Sequence, residues 1–224
     1  QKSIAKLTDS RSQLEGLKAL TSDTMEQLKQ LGPEGELIAA ATEGAYAIGD
    51  AWMEAAIAIK DGATGMEKGA AIAGAIATTI GQIGNIMAAA SKARIAGVDR
   101  EIEAEKKRDG KSKESLAKIK ALEKKKEAMK RKAFEQNKKM QMAQVIANTA
   151  AAIMGLWSGI KDPYVGPALA TAQMAVVGAL GAAQLAVIAG TSYQGGGSVS
   201  QPSGPSSIAV GKRRESTDLA KSQS

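Results

Sequence analysis

An all-α fold is predicted by three features of the sequence. Apolar residues recur at helical intervals over long stretches, the breaks between these stretches fall at Gly, Pro and Asp-Gly pairs, and aromatic content is only 3%, with a single Phe. Aromatic side chains bury the largest apolar areas, so a chain this poor in them is ill suited to a dense globular core. Ala and Gly take their place. The expectation is long helices with coiled-coil or helical-bundle packing in a homo-oligomer, followed by a flexible Gly/Ser/Pro-rich tail.

The elements follow in order. Residues 3–31 read as a first helix, with Ile4, Leu7, Leu14, Leu17, Leu20, Leu28 and Leu31 at its apolar positions. Gly32-Pro33 breaks it, because Pro cannot continue a helix interior. A second helix covers 35–60, mostly Ala and Ile with Trp52 and Met53 as its largest residues, and Asp61-Gly62 closes it as a turn. These two amphipathic helices make a first unit, 1–62.

The next unit, 63–109, is one long helix over 66–108 that passes from Ala/Gly-rich to charged. Ile72, Ile76, Ile80, Ile83 and Met87 form one stripe along it, and Gly74, Thr78, Gly81 and Asn85 form a second, small-residue stripe. Such a helix can approach a partner closely on one side and insert Ile knobs on the other, which makes both stripes candidate oligomer contacts.

Asp109-Gly110 marks the following break. In the unit 110–162, Ser112 reads as an N-cap and a basic helix over 113–158 runs into an apolar half. Four pairs, Glu103–Lys107, Glu114–Lys118, Glu127–Arg131 and Glu135–Lys139, place Glu four residues ahead of a cation, worth roughly 0.2–0.5 kcal/mol each. A loose heptad frame through Ile119, Leu122, Met129 and Met140 predicts a coiled-coil seam, interrupted at Lys126 and Gln136. Asp162-Pro163 ends this helix. The unit 163–190 holds a last helix over 167–190, apolar nearly all round and so either buried on every side or surrounded by lipid. Residues 191–224 form the tail.

Composition excludes several chemistries. Without Cys there are no disulfides or thiolate sites, and without His there is no imidazole base and no Cys/His zinc site. The chain begins at Gln1 with no signal peptide and is expected to be a piece of a longer polypeptide. Among the Ser-x-x-Lys tetrads, Ser3–Lys6 and Ser115–Lys118 have the spacing of an activated nucleophile but read as coincidence in a chain rich in both residues. Gly204 to Lys212 fails as a phosphate loop on spacing, and Arg213 stands where Ser/Thr would bind magnesium. Asp99, Glu101, Glu103 and Glu105 alternate around a helix beside cations, which suits a solvated face better than a metal site. No catalytic, cofactor or metal residue is assigned, and no small-molecule substrate is expected.

Charge is unevenly placed. The net +7 arises mainly in 92–139, which holds 18 basic and 9 acidic residues, whereas 1–91 holds 7 and 11. Between Met140 and Gly211 the only charges are Lys161 and Asp162. Lys124, Lys125, Lys126, Lys130, Arg131 and Lys132 form a basic patch that suits nonspecific phosphate contact or, more simply, a solvated face. No aromatics interleave there for base stacking. The uncharged stretches 69–91, 140–160 and 163–190 are each long enough to span roughly 30 Å of hydrocarbon. Gly155 and Gly159 form a GxxxG pair, and with Trp157, Val176, Val177, Leu180, Leu185 and Ile188 they are the candidate membrane-contacting residues.

The run Lys132-Ala133-Phe134-Glu135-Gln136-Asn137-Lys138-Lys139, continuing through MQMAQVIANTAAAIMGLW, Gly166-Pro167, the Ala-rich helix and Tyr193-Gln194-Gly195-Gly196-Gly197, resembles the carboxyl-proximal region of tape measure proteins from long-tailed bacteriophages. The resemblance covers about 66 residues closely and the preceding charged helices more loosely. It implies a structural virion protein inside the tail tube near the tip, in a few parallel copies, often three. Its partners would be the tail tube and tail-tip proteins, and its release at infection would aid DNA passage across the host envelope. It implies no enzyme activity and no cofactor. A membrane-inserting pore-forming protein and a nonspecific nucleic-acid binder stand as the two alternatives.

Overall fold

The computed structural model describes residues 2–158 and 166–195. The chain is all-α: α1 spans Lys2–Gln30, α2 Pro33–Lys60, α3 Gly65–Arg108, α4 Lys113–Ser158 and α5 Gly166–Gly190, with no strand among the described residues. The ends fall within one or two residues of those expected, because local chemistry sets them. Pro33 is not outside α2 but opens it, since its missing N–H and fixed φ suit the first helical position. A capping box that the sequence reading missed starts α3: Glu67 N–H donates to Thr64 Oγ1 at 3.3 Å, and Thr64 N–H donates to Glu67 Oε2 at 2.7 Å. Ser112 caps α4 as expected, accepting from Ser115 N–H at 3.1 Å. Gly32, Gly62 and Gly110 hold φ of 88°, 81° and 65° at the three tight reversals, where a side chain would cost roughly 1–2 kcal/mol.

The helices fold back as successive antiparallel hairpins rather than running on as one rod. Lys29 pairs with Glu43 at 2.8 Å and Arg11 with Asp50 at 3.2 Å between α1 and α2. Arg100 reaches Glu34, and Trp52 Nε1–H donates to Thr79 Oγ1 at 3.0 Å, between α2 and α3. Lys138 donates to the carbonyls of Ala189 and Thr191 at 2.7 and 2.8 Å, which satisfies the end of α5. Each helix packs only against its neighbours in sequence; among the described residues no other pair of helices touches. The result is an open series, not a closed bundle.

The core is correspondingly thin. Among the described residues the buried apolar side chains are five alanines, Ala39, Ala55, Ala73, Ala75 and Ala77, with Val98, Ile102, Ile119 and Ile188. Val98, Ile102 and Ile119 form one cluster near the tip of the α3–α4 hairpin, with Leu122 and Met129 packed against it. At roughly 1.5–3 kcal/mol per buried side chain, this is the strongest single block of packing in the chain.

Three expectations are corrected. The heptad seam of α4 is filled by α3 of the same chain: Ile119, Leu122 and Met129 join the tip cluster, and Met140 lies 3.6 Å from where a Cβ on Gly84 would stand. A heptad face demands a neighbouring helix without specifying whose, and the hairpin supplies one. The four expected Glu–cation pairs give way to others among the described residues. Glu103 pairs with Lys106, Lys118 crosses to Glu105, Glu127 accepts from Tyr193 Oη–H, and Arg131 pairs with Glu135. Finally, residues 191–195 are not a free tail start. Tyr193 stacks obliquely on Phe134, with ring centroids 5.7 Å apart, and its hydroxyl bonds Glu127 at 2.7 Å, which ties the segment to α4. The Asp162-Pro163 break and the tail from 196 onward lie outside the described residues.

Candidate interaction surfaces

At the tip, α3 ends and α4 begins around one carboxylate. Glu105 is 4% exposed and takes three donors: Lys118 Nζ at 2.9 Å, Arg108 Nη2 at 2.6 Å and Ser115 Oγ at 3.0 Å. The Lys118 and Arg108 bonds, with the Ser115 hydroxyl behind them, outweigh burial and hold its pKa down at about 2. Gly110 N–H in turn donates to Ser115 Oγ at 3.1 Å. The Ser115–Lys118 tetrad is thereby accounted for structurally: both members serve the hairpin turn, and the Lys ammonium faces a carboxylate rather than a serine it could activate. Side chains of the other tetrad, Ser3–Lys6, lie outside those described.

The acidic alternation is spent in the same way. Asp99 pairs with Lys126 at 2.5 Å, Glu103 with Lys106 at 3.1 Å, and Glu105 with the tip donors. No cluster of three or more His, Cys, Asp or Glu residues among the described residues is arranged to hold a metal ion.

Along α3 the two stripes separate onto opposite sides of the series. Ile76 and Ile83 are each 42% exposed. Thr79 sits between them, three residues after one and four before the other, so its bond to the Trp52 indole brings Trp52 onto the same side. Met154 joins from α4, its sulfur 3.3 Å from where a Cβ on Gly69 would stand, two turns before Ile76. Ile72, Ile80 and Met87 flank this side half-buried. Gly74, Thr78 and Gly81 open instead onto a polar cleft of about 380 Å³ shared with α4, closed by Gln144 and Asn148. Gln144 lies 2.9 Å from the missing Cβ of Gly81, a contact that only glycine leaves room for.

The basic patch divides. Lys124, Lys125, Arg131 and Lys132 are exposed on α4. Lys126 is drawn to Asp99, and Lys130 is half-buried beside a second cleft that Phe134 and Tyr193 also line. Exposed Lys113, Lys120 and Lys139, which the sequence reading left out, extend the patch along the helix. The signal was present in two seven-residue series, Lys118, Lys125, Lys132 and Lys139 along one row of the helix and Lys113 and Lys120 along another more than a third of a turn away.

Of the membrane candidates, Val176 and Leu180 are 59% and 53% exposed, and Val187 is exposed beside them. Val177 and Leu185 are half-buried, Ile188 is buried, and Gly155 is exposed. Ile188 faces inward because α5 lies close on α4 there; Thr149 Oγ1 stands where a Cβ on Gly181 would have to go. By length and composition α3 and the segment Thr171–Gly190 could cross a membrane. The Trp157 side chain and Gly159 lie outside the described residues.

These surfaces define a class: an open antiparallel series of α-helices that displays one apolar side and one band of lysines. No protein-family model, curated protein or solved structure matches the chain.

Proposed function

We propose that the chain is a structural virion component, the tip-proximal part of a phage tail tape measure, acting as a homo-oligomer without a reaction centre. The observation that carries the reading is the open helix series, in which Trp52, Ile76, Ile83 and Met154 stand uncovered on one side. Large apolar side chains grouped this way mark a surface that meets a partner, and further copies of the chain, three being the expected number, would cover it. The resemblance across 132–197 supplies the setting. Folded back, the longest helix spans about 70 Å, against about 340 Å for the whole chain as one rod. In this reading the segment therefore adds little to tail length and serves as the end piece, to be released with its apolar helices at infection. Light scattering from about 1 to 100 μM tests it: a trimer or another small oligomer is expected, and a monomer throughout would overturn it. Density for the tail tip of an intact particle would place the segment directly.

A membrane-inserting protein is the second reading, favoured by the exposed Val176, Leu180 and Val187 on a helix without charge. Dye release from liposomes by the isolated chain, at concentrations where it is monomeric, would support this reading over the first.

A further inference from the structure

The exposed lysines of α4 carry an inference that does not depend on the tape-measure reading. Lys113, Lys120, Lys124, Lys125, Lys132 and Lys139 are all exposed, and none forms an ion pair or hydrogen bond among the described residues. Of the other cations on this stretch, Lys118 is engaged by Glu105, Lys126 by Asp99, Arg131 by Glu135 and Lys138 by the end of α5, and Lys130 is half-buried. Two of the four carboxylates on this stretch are likewise taken, Glu127 by Tyr193 and Glu135 by Arg131, which leaves Glu114 and Glu123 against six free lysines. The excess is therefore a fixed feature of the fold.

We propose that this exposed band of lysines is a docking surface for the phosphate backbone of duplex DNA, bound without sequence preference. From Lys113 to Lys139 the lysines cover about 39 Å of helix, a little over one turn of duplex, in two rows on the exposed side: Lys125, Lys132 and Lys139 in one, and Lys113, Lys120 and Lys124 about a third of a turn round. The residues exposed between the lysines include Ala117, Ala121 and Ala128, and Leu116 is the single large apolar residue exposed on this stretch. That composition supplies charge without the apolar anchors that hold a helix in a lipid interface. With no aromatic in the band and Arg131 spent on Glu135, nothing there reads a base edge.

Fluorescence anisotropy with the full chain and a 30-base-pair duplex tests the proposal. If all six lysines engage, the slope of log affinity against log salt is about −5, a loss of about a thousandfold between 50 and 200 mM KCl. Replacing Lys124, Lys125, Lys132 and Lys139 by Gln should lower the slope to about −2 and weaken binding at 50 mM by at least tenfold. Gln suits exposed helix positions, so unchanged helical circular dichroism will show that the variant folds. Replacing Lys18 and Lys60, two exposed lysines on α1 and α2, should change binding less than twofold. The proposal is overturned by no binding at 50 mM salt, by an unchanged slope in the four-lysine variant, or by binding to phosphatidylserine vesicles but not to the duplex.

Discussion

The two ends of the α3–α4 hairpin are built on opposite rules. At the turn, Val98, Ile102 and Ile119 interlock and Glu105 is satisfied by three donors, so the interior there is closed within the chain. At the far end the same two helices meet through Gly69, Gly81, Gly84 and Gln144, and Ile76, Ile83 and Ile146 point outward. The first end is a finished core. The second brings backbones close and leaves its apolar volume on the outside. One hairpin thus anchors itself at the tip and offers its apolar surface at the base.

Substitutions at the two ends should differ sharply. Ile102→Ala removes a side chain that is 5% exposed and should cost about 2–4 kcal/mol, read as a lower midpoint in urea unfolding. Acid should act on the tip next. The Glu105 pKa lies at about 2 against an ordinary value of 4.5, so its contribution is complete above pH 4.5 and is lost as pH falls towards 2. Stability measured across that window should drop, and Glu105→Gln should flatten the response. Thr64→Ala removes the capping box at the base and should cost about 1 kcal/mol in the same unfolding assay. The smallest effect on folding should come from Ile76→Ser with Ile83→Ser: at exposed sites, within about 0.5 kcal/mol of the parent in the monomer. That pair should nonetheless shift any oligomer towards monomer by gel filtration, whereas Ile102→Ala at matched folded fraction should not.

Much of the fold was legible because its punctuation is local. Pro33, Gly62, Gly110 and Ser112 act through φ, a missing N–H or a side-chain cap, and each of these is fixed by residue type alone. The 4,4,3,4 stripe of Ile72 to Met87 was likewise visible, since helical periodicity is a property of spacing. What spacing withholds is the identity of the neighbour. Ile119 and Met140 read as an intermolecular seam until the turn at Gly110 brings α3 alongside. Lys118 was paired on paper with Glu114, but the hairpin offers it Glu105, a buried acceptor already shaped by Ser115 and Arg108. The candidate surfaces were therefore legible as stripes, and only the fold divides them into faces that are spoken for and faces that are free.

Because every helix leans only on the one before and the one after, resistance to a pull is local in this chain. Tension on either terminus would load one interface at a time, as in other serially stacked folds, and no distant contact would have to break first. The weakest steps lie at the ends, where α1 and α5 each have one neighbour, and the strongest is the interlocked turn at the centre. Under such a load unfolding would proceed stepwise, and refolding would draw on local contacts.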